Sequence, residues 1–182
     1  VCQRLSEMFG FRRSEIAICT SHTHTGPVVA KNLRPMHFES LDSTQRQLVA
    51  DYAEQLERNI IAAVQRAIDD VAPAQIAWDN GTCSFAVNRR ANKPYDKVAG
   101  WRADGKLKGP VDHDVPVLSV RGKEDQLRAV VFGYACHCTV LGSYQWSGDY
   151  AGFAQIELEN AHPGCTAMFW AGCGADQNPL PR

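Results

Sequence analysis

Residues 115–135 read VPVLSVRGKEDQLRAVVFGYA. Strand-type runs at Val115–Val120 and Ala129–Ala135 flank the polar turn Gly122-Lys123-Glu124-Asp125, and this pattern predicts a β-hairpin. Upstream, residues 41–75 read LDSTQRQLVADYAEQLERNIIAAVQRAIDDVAPAQ. Leu48, Tyr52, Leu56, Ile60, Val64, Ala67, Ile68 and Val71 recur there at helical spacing; Ser43 or Thr44 can cap the start and Pro73 stops the run. The spacing predicts one long amphipathic helix near residues 44–71, lying on a core. Gln75–Trp78 reads as a strand ended by the turn signal Asp79-Asn80-Gly81, and residues 82–115 as mostly irregular. Downstream, GDYAGFAQIELENA (148–161) suits a helix and Thr166–Trp170 a buried strand. Ile16–Thr20 is a further short strand-type run. Strands mixed with helices in this way indicate the α/β (α+β) class: a mixed β-sheet core with flanking helices.

The bulk properties narrow the options. The 182 residues carry 19 Lys and Arg against 20 Asp and Glu, a formal net charge of −1. Basic residues do not cluster into a phosphate-binding face, so nucleic acid is not an expected partner. No run approaches the roughly 18 apolar residues that span a bilayer. A start at Val1 and an end at Pro179-Leu180-Pro181-Arg182 suggest that residues 1–182 are part of a domain, truncated at both ends. The seven cysteines form no C-x-x-C pair, which argues against a Cys₄ zinc module. They are expected mainly as small buried residues.

Residues with chemical potential collect where strands end, the usual place for a site in an α/β sheet. His22 and His24 lie in ICTSHTHTGPV (18–28), just after the first strand-type run. His137 follows the strongest strand in FGYACHCTVLG (132–142), and Asp176, Gln177 and Asn178 follow the last. On extended backbone an H-x-H pair projects both imidazoles to one side. With a third histidine it could form an open zinc site. The spacing fits equally a pair of hydrogen-bonded structural histidines or a metal-free acid–base centre. Asp149 reads either as a helix N-cap or as an acceptor for a ligating imidazole.

Six segments in order, SHTHTGP, NRR, GPVDHDVPVLSV, YACHCT, SGDYAGFA and GCGADQNP, resemble the N-terminal catalytic domain of neutral/alkaline non-lysosomal ceramidases and their bacterial relatives. The resemblance covers nearly the whole chain. It implies a zinc amidohydrolase that cleaves the N-acyl bond of ceramide into sphingosine and a fatty acid. It places His22 and His137 as ligands of one Zn²⁺, with a Glu and a Tyr expected beyond residue 182. His24 becomes a catalytic neighbour of the metal, and Arg89 a contact to the reacting group. The implied partner is a small-molecule amide, such as the lipid ceramide, met at a membrane surface without a transmembrane segment. Secretion or a periplasmic location follows from relatives that carry signal peptides.

One position departs from the pattern. Ceramidases carry a serine just before the proline of the last glycine-rich turn; here Asn178 precedes Pro179. An amide cannot become an alkoxide nucleophile. Asp176 is then a candidate base for direct attack by water, or else Asp176-Gln177-Asn178 only satisfies backbone groups in a turn. The alternatives are a hydrolase of a different amide or ester, a cysteine hydrolase using Cys136 or Cys138, and a non-catalytic binding or structural relative.

Overall fold

Helix α1 (Cys2–Phe9) buries Leu5 and ends at Gly10, whose left-handed backbone (φ 74°) lets its N–H donate to the Ser6 carbonyl. The computed structural model describes residues 1–180. It forms two compact units, Val1–Ile18 with Pro27–Ala72, and Cys19–Gly26 with the chain from Pro73 onward. The first unit also holds the long helix α2 (Ser43–Asp69). Its cap is Asp42 rather than Ser43 or Thr44. Asp42 Oδ1 accepts the Gln45 N–H at 2.8 Å while Gln45 Oε1 accepts the Asp42 N–H at 3.1 Å. A carboxylate there also meets the positive end of the helix dipole. Of the apolar positions only Ile61 is fully buried; Tyr52, Leu56, Ile60, Val64 and Ile68 are half-buried.

The second unit contains β1 (Gln75–Thr82), β2 (Ala86–Asn88), the short helix α3 (Val98–Ala103), β3 (Asp114–Arg121), β4 (Leu127–Tyr134), α4 (Asp149–Ala161), β5 (Thr166–Ala171) and β6 (Gln177–Pro179). The expected hairpin is β3–β4, antiparallel with a register shift at Val120/Arg121. The main sheet runs β1-β3-β4-β5, antiparallel except for the parallel β4–β5 pair that α4 connects. A mixed sheet with flanking helices is what the alternating patterns imply.

Four local expectations change. Asp79-Asn80-Gly81 is not a turn: it continues β1, opposite Val117, Pro116 and Val115, because a full ladder with β3 outweighs turn propensity. The nominally irregular stretch holds β2 and α3. β6, three residues with Gln, Asn and Pro, forms the antiparallel partner of β2. Residues 16–20 form no strand. The open edge of β5 is covered by side chains instead. Gln155 Nε2 donates to the Ala167 carbonyl (2.7 Å), Glu159 Oε1 accepts the Ala167 N–H (3.0 Å), and the Ala171 N–H meets Cys19 Sγ (3.2 Å).

Aromatic rings join the main sheet to β2. Ala86, Tyr134 and Cys136 are buried together, with Phe85 about equally close to Tyr134 and Tyr150, 4.9 Å between centroids in each case. The Tyr134 hydroxyl donates to the Cys83 carbonyl and accepts the Ala86 N–H. Burial pushes its pKa up to about 12 from an ordinary 10, and that of Cys136 up to about 12 from 9. Both groups therefore hold their protons more tightly when folded, so their contribution is complete below pH 9 and lost as pH climbs toward 12. Denaturant midpoints measured from pH 8 to 12 should fall across that window. In Tyr134→Phe the fall should be shallower, from a lower starting stability.

Candidate active site

The loop carrying His22 and His24 is held by its threonines. Thr25 is buried, and its Oγ1 donates to the Ser147 carbonyl at 3.0 Å while the Ser147 N–H donates to the Thr25 carbonyl at 3.1 Å. Thr23 Oγ1 lies 2.9 Å from Thr25 Oγ1 and 3.2 Å from the same carbonyl. Alternation in His22-Thr23-His24-Thr25 thus puts the threonine hydroxyls inward and leaves both imidazoles exposed. His22 sits in the left-handed region (φ 58°), uncommon for a residue with a Cβ and a feature of functional loops.

His22 is central. Its ring centroid lies 5.0 Å from that of His137 and 5.3 Å from that of His24, nearly edge-on in both cases. His137, half-buried just past β4, places Nδ1 2.8 Å from the Gly174 carbonyl and 3.1 Å from the Gln177 carbonyl. Carbonyls only accept, so Nδ1 carries a proton, and in the neutral tautomer this leaves Nε2 as the nitrogen with the lone pair. This is the outer-partner arrangement that orients metal-binding imidazoles. Partial burial holds the His22 pKa below its usual value, helped by His137, His24 and the Arg89 guanidinium. Imidazole nitrogens suit a borderline dication. Among the described residues no group of three His, Cys, Asp or Glu side chains is placed to hold one ion.

Arg89 is fixed through its neighbours. Its N–H donates to the Asp176 carbonyl (2.8 Å), extending the β2–β6 ladder. Asn88, buried, is the hub. Its Oδ1 accepts the N–H groups of Arg90 (3.1 Å) and Ala91 (3.0 Å), and its Nδ2 donates to the Pro110 carbonyl (2.9 Å) and Asp176 Oδ2 (3.0 Å). Gly109 (φ 83°) lets the chain wrap this side chain, since a Cβ there would fall 2.9 Å from Asn88 Cγ. The Asp176 carboxylate is therefore engaged by Asn88, and its half-buried position puts it beside Arg89's backbone. Asp149 is neither an N-cap nor an acceptor for an imidazole. Its buried carboxylate takes the N–H groups of Val140, Leu141 and Tyr150, clamping the loop after His137.

The sequence reading missed Asn88 and Gly174, and it singled out Gln177 for its side chain in the last turn rather than for its carbonyl. Two of them act through backbone carbonyls, which no residue pattern reveals. Gly174 left one trace in its glycine-rich turn: a Cβ there would lie 2.5 Å from both Ala135 C and Cys136 N.

All seven cysteines are free. Those flanking His137 are buried, and burial raises Cys136 to about 12 and Cys138 to about 11. Such thiols are almost wholly protonated near neutrality, which works against the cysteine-hydrolase alternative. Alkylation of native protein at pH 8 should label exposed Cys173 and spare Cys136 and Cys138 until denaturant is added. Rapid labelling of Cys138 in the native state would restore that alternative.

Residues 1–171 match the family described as neutral/alkaline non-lysosomal ceramidase, N-terminal. Two solved structures share the fold. One is a ceramidase complexed with C2, with TM-score 0.69 and 17% identity; it is covered over 98% of this chain and 28% of its own. The other is a neutral ceramidase from Pseudomonas aeruginosa, with TM-score 0.69 and 19% identity at the same coverages. The chain thus spans 28% of the length of these structures. Comparison with curated proteins gives no match. With a family match over residues 1–171, the chain belongs to the neutral/alkaline non-lysosomal ceramidase family, in its N-terminal region.

Proposed function

We propose that the protein is a zinc-dependent hydrolase of C–N amide bonds, of the neutral ceramidase type. The observation that carries this reading is the His22–His137 pair, 5.0 Å between centroids, with His137 Nδ1 committed to two carbonyls. His22 and His137 would hold the ion, and further ligands would come from other parts of the full-length protein. Bound zinc supplies Lewis acidity toward a substrate carbonyl.

This chain's own groups do the rest. The Gly174 and Gln177 carbonyls aim the His137 ring and fix its tautomer. His24, exposed beside His22, is placed to accept and return a proton. The Arg89 guanidinium stabilises the oxyanion that forms when the amide carbonyl is attacked. Asn178, 3% exposed, has no hydroxyl to offer, so proton handling falls to His24 and the Asp176 carboxylate. A neutral lipid amide such as ceramide is one substrate within this reading, and export from the cytoplasm belongs to it. No helix among the described residues is long and apolar enough to cross a membrane.

Metal analysis of the purified full-length protein with a panel of amides tests the proposal. We expect about one zinc per chain and amide cleavage that a chelator abolishes and zinc restores. Amide cleavage that survives in metal-free protein would falsify it. Stoichiometric zinc without cleavage of any amide or ester would favour the non-catalytic relative, in which the loss of the serine is the decisive change.

A further inference from the structure

Arg89, Arg90, Lys93, Pro94, Tyr95 and Asn178 line an open cleft of about 830 Å³. Three cations and no carboxylate face it. Among the described residues none of the three cations is in an ion pair. Asn178, in the same wall, is 3% exposed, and its Oδ1 is sealed from solvent without a hydrogen-bond partner. Buried orphan acceptors are rare in folded proteins and call for an explanation.

The cleft adjoins the imidazoles through two of its residues. Arg89 belongs to both, since its charge acts on His22. Asn178 directly follows Gln177, whose carbonyl takes the His137 Nδ1–H. A concave surface with uncompensated cations raises the local concentration of anions. The guanidinium fork also matches a carboxylate or phosphate better than any neutral group. A plain lipid amide leaves these charges unused.

We propose that the substrate is an amide bearing an anionic group, carboxylate or phosphate, that seats on Arg90 and Lys93 while the scissile bond lies at His22 and Arg89. The inference rests on the amide-hydrolase reading above and narrows it to a charged substrate class.

The test uses full-length wild type and the double variant Arg90→Ala/Lys93→Ala. Three probes share one acyl chain: N-lauroylglycine, N-lauroyl-O-phosphoethanolamine and neutral N-lauroylethanolamine. The expected kcat/KM for at least one anionic probe exceeds that for the neutral probe by about tenfold or more, as one or two charge-assisted hydrogen bonds imply. The preference should shrink at high salt. The double variant should erase it through KM while leaving the neutral probe unchanged, and the better anionic probe identifies carboxylate or phosphate. Equal or better cleavage of the neutral probe, or an unaltered preference in the double variant, overturns the proposal. If no probe is cleaved, the hydrolase reading fails instead, and calorimetry decides the cleft. Binding of an anionic probe that the double variant loses upholds the anion site; absent or unchanged binding rejects it.

Discussion

Replacing His137 by alanine should strip the full-length protein of zinc and lower amide cleavage by more than about a hundredfold. Losing only an outer partner of a ligating histidine costs roughly 10- to 100-fold in affinity or activity, and loss of the ligand itself must exceed that. Stability should change less. The substitution removes one donor shared by the Gly174 and Gln177 carbonyls, worth about 1–3 kcal/mol if neither finds water. His24→Ala is the informative contrast. It should keep the metal and lose turnover by roughly 10²- to 10⁴-fold, the usual range for a proton-transfer group. Equal zinc content in wild type and His137→Ala would remove His137 from the site.

Asn88→Ala should destabilise the second unit by about 3–5 kcal/mol. The side chain makes four hydrogen bonds at a position 4% exposed, and each group left buried and unpaired costs about 1–3 kcal/mol. Chemical denaturation with an unchanged slope and a lower midpoint would register it. Asn88→Asp separates the two halves of the hub. It keeps the acceptor for Arg90 and Ala91 but sets a carboxylate against Asp176 Oδ2. Two carboxylates so close raise one pKa, and the folded state then binds a proton that the unfolded state releases. The deficit of this variant should therefore ease as pH falls from 7 toward 5, whereas that of Asn88→Ala should not. Indistinguishable pH profiles would mean that Asp176 does not face Asn88 in solution.

Legibility in the sequence followed the reach of the forces involved. The β3–β4 hairpin, α2 and α4 were readable because their periodicities are written in consecutive residues. β2 and β6 were not. Each is three residues long, and each exists because the other supplies its ladder across nearly ninety positions. Asp79-Asn80-Gly81 failed in the opposite sense, as a strong local signal overruled by pairing with β3. The run at residues 16–20 has strand-type residues, yet Gln155, Glu159 and Cys19 side chains occupy the β5 edge.

At the site, residue types were legible and their supports were not. His22, His24 and His137 stood out as imidazoles at expected strand ends; only His137 follows a strand, yet the structure brings the three together. What aims His137 is a pair of main-chain carbonyls, and every residue has one of those. Asp149 shows the limit from the other side. A carboxylate at a helix start invites two functional readings, but besides the adjacent Tyr150 N–H its partners are the loop N–H groups of Val140 and Leu141, found only after the chain has folded.

Gly174 carries a longer consequence. With only 2.5 Å between its missing Cβ and the backbone of Ala135 and Cys136, the two loops share a seam without slack. Neither can lengthen, shorten or drift without the other, so the imbedded imidazole and its carbonyl clamps are inherited as one rigid block. Arg90 and Lys93 are exposed and lie outside that seam, so their side chains can change without moving the His137 ring.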